Sequence, residues 1–211
     1  MEPIKEYNEI NGKKLVEALA KRNMAGFYCA TREEALKKAL ELIPEGSSVT
    51  WGGSQSIKEI GLTEALKQGN FNVYDRADAK NPNEAEEIQR KAFSCDYYLA
   101  SSNAITFDGQ LVNIDGNGNR VAAMIFGPKN VVLVVGINKL TKDVDSAMDR
   151  IRNYASVVNV LRLNCDTPCK TTGKCCDCTS PATVCCQVVT TRFSRVKDRI
   201  KVIIVGENLG Y

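Results

Sequence analysis

The sequence predicts an α/β fold: a mostly parallel sheet with helices on both faces, and a cysteine-rich segment near the carboxyl end. Two observations carry this. Segments with apolar residues at helical spacing alternate along the chain with short β-branched runs, the pattern of strand–helix–strand units. The run Val131–Val135 is apolar without interruption, which suits a strand covered on both faces. At 211 residues the chain suits one domain spanning 1–211, with the cysteine-rich segment at 164–187 inside it.

Taken in order, Asn11–Asn23 places Leu15 and Leu19 at helical spacing, and Gly26–Ala30 is a short strand. Thr31 then caps a helix over Arg32–Leu42, with Glu34 at its third position, and Pro44-Glu45-Gly46 stops it. A strand at Ser48–Thr50 runs into Trp51-Gly52-Gly53-Ser54 and a helix to Ile60. A further helix, Gly61–Gln68, and a strand, Asn72–Tyr74, come next. Asn83–Ala92 reads as a helix and Tyr97–Ser101 as a strand. Ile105–Phe107 and Leu111–Ile114 flank Asp108-Gly109, a strong hairpin signal. Lys129–Val135 is a strand, Asp143–Tyr154 a helix, and Lys201–Val205 the closing strand.

Composition excludes several classes of function. With 44% hydrophobic and 25% charged residues, disorder is not expected. A formal charge of +3, with bases and acids interspersed, gives no nucleic-acid footprint. Met1–Ala20 lacks an apolar core, so no signal peptide is expected, and no stretch is long and apolar enough to cross a membrane. The expected compartment is the cytoplasm, where thiols stay reduced.

Histidine is absent, and seven of the nine cysteines lie between Cys165 and Cys186. That excludes His-dependent triads, His-ligated haem and mixed Cys/His metal sites. Soft ligands without imidazole point to an all-thiolate centre: a [4Fe–4S] cluster, or alternatively a four-cysteine zinc. The best ligand selection is Cys169, Cys175, Cys178 and Cys185, spaced C-x5-C-x2-C-x6-C. The C-x2-C step brings two thiolates to one centre around a tight turn, and the outer pair closes from either side. Cys176 and Cys186 each adjoin a chosen ligand, and spacing alone leaves open which member of each pair binds. Zinc ribbons usually carry two C-x2-C knuckles, whereas this segment has one. A disulfide or redox relay and plain buried thiols are the ordinary alternatives. Cys29 and Cys95, in or beside strands, read as small core hydrophobes.

Glycine-rich turns border the strands where open α/β sheets bind ligands. Gly52, Gly53 and Ser54 permit close backbone approach and open a helix whose free N–H groups suit an anion. In the second loop, Gly116-x-Gly118 lacks the third glycine of a dinucleotide fingerprint, Val121 standing in its place. For each loop the ordinary alternative is a tight turn or helix cap. Asn103, Thr106, Asn119, Arg120 and Asn138 gather near these turns as candidate contacts to a small anionic substrate. Lys139, beyond the carboxyl end of the apolar strand, can hold a carboxylate or phosphate. Asp115, Lys139 and Glu207 are the candidate acid/base groups; ordinary salt bridging or solvation is the alternative for each.

These blocks together resemble the lactate-utilisation (LUD) family, also described as LutC/YkgG-like. The resemblance is carried by Val49-Thr50-Trp51-Gly52-Gly53-Ser54, by Ser102-Asn103-Ala104-Ile105-Thr106 with Asp108-Gly109, and by Asn113–Arg120. Phe126-Gly127-Pro128, Gly136-Ile137-Asn138-Lys139 and Gly206–Tyr211 match as well. Thr167-Pro168-Cys169, Thr172–Cys175 and Asp177-Cys178 look like the cysteine-bearing, single-domain branch, from which Cys176 and Cys186 depart. The resemblance implies a Rossmann-like fold similar to the NagB/ribose-phosphate isomerase/CoA-transferase group (NagB/RpiA/CoA-transferase-like), which commonly packs as dimers or larger oligomers. It also implies a link to oxidation of lactate to pyruvate, alongside iron–sulfur partner subunits. Three roles are then open: a redox protein of 2-hydroxy-acid metabolism, a non-redox enzyme using an open iron as Lewis acid, or a metal-stabilised ligand-binding or scaffold protein.

Overall fold

The computed structural model describes residues 2–211. The chain opens with α1 (Pro3–Lys21), β1 (Ala25–Cys29), α2 (Arg32–Leu42), β2 (Ser48–Trp51), α3 (Gln55–Glu59) and α4 (Leu62–Gln68). Then come β3 (Asn72–Tyr74), α5 (Pro82–Lys91), β4 (Tyr97–Ala100), β5 (Ala104–Thr106), β6 (Leu111–Asp115) and α6 (Asn119–Phe126). The remainder holds β7 (Asn130–Gly136), β8 (Leu140–Thr141), α7 (Val144–Arg150), α8 (Ser156–Leu163), α9 (Pro168–Thr172), β9 (Gln187–Thr191) and β10 (Ile200–Val205).

Strands β1-β10-β7-β4-β2-β3 pair in that order into a sheet whose every pairing is parallel. Alternation along β7 shows why its sequence is uniformly apolar. Val132 and Val134 face one core with Ala35, Ala39, Ile57 and Leu66 of α2–α4. Val131, Leu133 and Val135 face the other with Leu15 and Leu19 of α1 and Met124 of α6. A strand packed on both sides has no polar face to alternate with. Each such side chain contributes about 1.5–3 kcal/mol by leaving water.

A second sheet, ordered β8-β5-β6-β9, was not foreseen as a unit. The Asp108-Gly109 hairpin is present, with Gly109 at φ +85°. Strand β9, absent from the sequence expectation, pairs antiparallel to β6 from Leu111↔Thr191 to Asp115↔Gln187.

Two helices are longer than apolar spacing suggested. α1 starts at Pro3, at its first turn, and its opening residues Ile4, Tyr7 and Ile10 are exposed, so they leave no core stripe to read. The helix read at Asp143–Tyr154 continues through a π-helical stretch, Ile151–Ala155, into α8. It ends only where Asn164 turns left-handed at φ 55°, a conformation asparagine tolerates.

Candidate functional site

The carboxyl ends of β2, β4 and β7 open on a cleft of about 440 Å³. Its walls come from Gly52-Gly53-Ser54 after β2, Ser101-Ser102-Asn103 after β4, Lys139 after β7, and Asp115 at the end of β6 with Gly116, Asn117, Asn119 and Arg120 beyond it. Gly52 is required by packing: a Cβ there would sit 2.8 Å from the Tyr98 hydroxyl. Gly118, at φ +77°, starts α6 from a left-handed turn, which favours glycine.

Lys139 forms the floor. It is 4% exposed, and its Nζ donates to Ser56 Oγ at 2.9 Å and Ser101 Oγ at 3.0 Å. Both hydroxyls give their own protons to carbonyl oxygens, Ser56 to Leu209 and Ser101 to Ser102. Burial, reinforced by the Arg150 and Arg120 charges, pulls the amine down to about 7. A lysine with a pKa this low is an amine available as base or nucleophile near neutrality.

Arg120 is a structural hub. Its guanidinium donates to Asn113 Oδ1 (2.6 Å), Ser101 O (3.2 Å), Asn103 Oδ1 (2.9 Å) and Ile114 O (2.8 Å). Its Nε lies 3.1 Å from Asp115 Oδ2 as an ion pair. That oxygen has no hydrogen bond of good angle, so the pair is electrostatic contact and Asp115 keeps a lone pair unengaged. Asp115 Oδ1 accepts from the Gly118 N–H at 3.1 Å. Asn103 locks the same corner, accepting from Ile114 N at 3.0 Å. The terminal nitrogens of Arg120 are thus spent on protein.

Arg76 differs. It lines the cleft, with a terminal nitrogen 3.0 Å from where a Cβ on Gly53 would stand. No acceptor among the described residues takes its guanidinium, which leaves it available to an anion. Across the lining, Arg76, Arg120 and Arg162 face one acid, Asp115. The cleft therefore favours negative charge.

Among the expected site residues, Gly52, Gly53, Ser54, Asn103, Asp115, Asn119, Arg120 and Lys139 meet in the cleft. Ser54 also caps α3, accepting from Ile57 N. Three others lie outside its lining. Thr106 ties the hairpin by bonding Asp108 and accepting from Gln110 N. Asn138 pins the tail through the Leu209 amide and the Gly210 carbonyl. Glu207 pairs with Arg32 at 2.8 Å. Ser56, Ser101, Arg76 and Arg162 were missed. Ser101 alone carried a sequence signal, its place at the last position of the expected strand Tyr97–Ser101; the structure ends that strand one residue earlier.

The cysteine segment forms a second cavity, about 60 Å³, lined by Cys169, Cys175, Cys176, Cys178 and Cys185. Cys165 and Cys186 do not line it, and all nine thiols are free. Burial pushes the Cys185 thiol up, opposed by a hydrogen bond from Ser156; Cys175 and Cys169 lie close enough to raise it further. Among the described residues no three Cys, Asp or Glu side chains converge tightly enough to hold one metal ion. Cys29 and Cys95 are buried, as expected, and burial drives each thiol up to about 11. Such thiols are inert. Ile114, Thr183 and Val184 line both the thiol cavity and the cleft. The segment is fastened there by Cys186 N donating to Asp115 O at 3.0 Å.

Residues 12–205 match the family model of the LUD domain. A DUF162 family protein of known structure from Deinococcus radiodurans is similar at TM-score 0.54 and 10% identity, over 94% of this chain and 98% of that one. At that identity the likeness speaks for the fold alone. The structure of eIF2B delta from Chaetomium thermophilum reaches TM-score 0.35 at 16% identity, over 54% of this chain and 49% of that one. That is too distant to carry weight. No curated protein matches the sequence.

Proposed function

Because the chain belongs to the LUD domain family, we propose that it is an iron–sulfur protein with a redox or electron-transfer role in lactate or related 2-hydroxy-acid metabolism. Family membership supports the link to lactate utilisation. The finer assignment is carried by one observation: five thiols, four of them at the expected ligand positions, line a single cavity that shares a wall with a cationic cleft.

The donor set is all sulfur, which suits a [4Fe–4S] cluster. One tetrahedral zinc would need four sulfurs about 2.3 Å from a point, hence about 3.8 Å from one another. Thiols arrayed around a space favour the larger group, whose four metal atoms each take a separate ligand. Cys169, Cys175, Cys178 and Cys185 would hold it. The cavity has room for several water-sized groups. When bound, such a cluster exchanges electrons one at a time.

The chain's own residues would do the rest. Arg76 holds the substrate carboxylate, through the bidentate geometry guanidinium offers. Lys139, about half of it neutral at pH 7, accepts the hydroxyl proton in its uncharged form. Arg120 and Asp115 fix the wall carrying both. Conversion of a 2-hydroxy acid to a 2-oxo acid releases two electrons and two protons. Lys139 takes the hydroxyl proton, and Asp115, with an oxygen unengaged in the cleft wall, takes the one from carbon. Iron–sulfur partner subunits are the expected electron acceptors.

Anaerobic purification tests this reading. It expects brown protein with about four irons per chain. Colourless, iron-free protein from strictly anaerobic cells would overturn it.

A further inference from the structure

We propose that the cleft binds the carbonyl form of its substrate covalently, Lys139 Nζ condensing with the keto carbon of a small 2-oxo acid to form an imine. The inference rests on the cleft's preference for carboxylates set out above and adds a bond to it.

Three features of the floor prepare the amine. Ser56 and Ser101 together offer two acceptors to Nζ, and their own protons are committed elsewhere. A neutral amine has two N–H groups and one lone pair, so both donors are satisfied and the lone pair stays free. An ammonium would carry a third proton with no acceptor among the described residues. Arg150 and Arg120 act in the same direction, because their charge disfavours protonation. A lysine desolvated beside other cations is a recurrent way of activating an amine as nucleophile. Glu59 opposes the two arginines from a distance, but among the described residues no carboxylate forms an ion pair with Nζ, and Lys139 lines the open cleft.

The condensation balances without a further reagent. The lone pair of Nζ adds to the carbonyl carbon, and a carbon–nitrogen double bond replaces carbon–oxygen. The two amine protons leave with the oxygen as water. Arg76, with its guanidinium unspent, takes the carboxylate of the same molecule, which makes a 2-oxo acid a better fit than a simple aldehyde.

The test uses the full chain as purified, with pyruvate as probe and sodium cyanoborohydride as reductant, read by intact mass and peptide mapping. The expected result is one adduct per chain at Lys139, heavier by pyruvate less one oxygen. Its yield should rise through pH 7 and be suppressed by excess acetate. Lys139→Arg should abolish it, and mapping on the unaltered chain keeps the test valid should that variant fail to fold. Thermal denaturation with and without pyruvate separates the two ideas. A stabilising shift without any adduct overturns imine formation and leaves the carboxylate cleft standing. Neither shift nor adduct overturns both. An adduct scattered over surface lysines also overturns the inference.

Discussion

Replacing Lys139 with methionine isolates the cost of the buried amine. A lysine depressed from 10.5 to about 7 is harder to protonate folded than unfolded, so stability rises with pH between those values and the full cost is felt below 7. At about 1.4 kcal/mol per pKa unit, the burden is on the order of 5 kcal/mol at pH 6 and about 1 kcal/mol at pH 10. Methionine removes that burden but forfeits the hydrogen bonds to Ser56 and Ser101, together worth about 2 kcal/mol. The variant should therefore be about 3 kcal/mol more stable than the parent at pH 6 and about 1 kcal/mol less stable at pH 10. Urea unfolding of both proteins at the two pH values, with reductant present, measures this directly. Subtracting parent from variant removes every other titrating group. A difference that does not change between pH 6 and 10 would show that the amine stays charged in the folded protein, and the account of the cleft floor would fail.

Other consequences can be checked separately. Arg120→Lys should lose about 3 kcal/mol of stability, since an ammonium cannot span the four acceptors and the carboxylate that the guanidinium joins. Arg76→Ala should leave unfolding midpoints within about 0.5 kcal/mol yet abolish the thermal shift caused by acetate or pyruvate; an unaltered shift would show that another cation holds the carboxylate. Gly52→Ala should cost about 1–3 kcal/mol through overpacking against the Tyr98 hydroxyl, and Tyr98→Phe in that background should recover part of it. Among cysteine-to-serine variants, those at Cys169, Cys175, Cys178 and Cys185 should lose iron on anaerobic purification. Variants at Cys165 and Cys186, outside the cavity, should keep it.

The sheet was legible because its signals are local. β-branched runs such as Val131–Val135, the Thr31 cap and the Asp108-Gly109 turn each act within a few residues of where they are written. Strand β9 had such a signal too, Val188-Val189-Thr190-Thr191, overshadowed by the cysteines immediately before it. The cleft was half legible: residues placed just beyond strand ends, such as Asn103, Asp115 and Lys139, could be found from the alternation of elements. What each does there could not. Arg120 and Arg76 look alike in the sequence, and only long-range packing shows that one guanidinium is consumed by Asn113, Asn103 and two carbonyls while the other is unspent. Ser56 and Ser101 are 45 residues apart in the chain, so no spacing rule could link them to one amine.

Strand β10 lies between β1 and β7 in the large sheet, pairing Ala25↔Lys201 on one side and Val205↔Gly136 on the other. The ribosome makes β10 long after both neighbours. Until it emerges, β1 with α1 packed on it has no seat in the sheet, and the backbone edge of β7 stands unpaired. Nascent chains should accordingly engage chaperones late in translation, and a stop codon before residue 200 should yield aggregates rather than a smaller working protein.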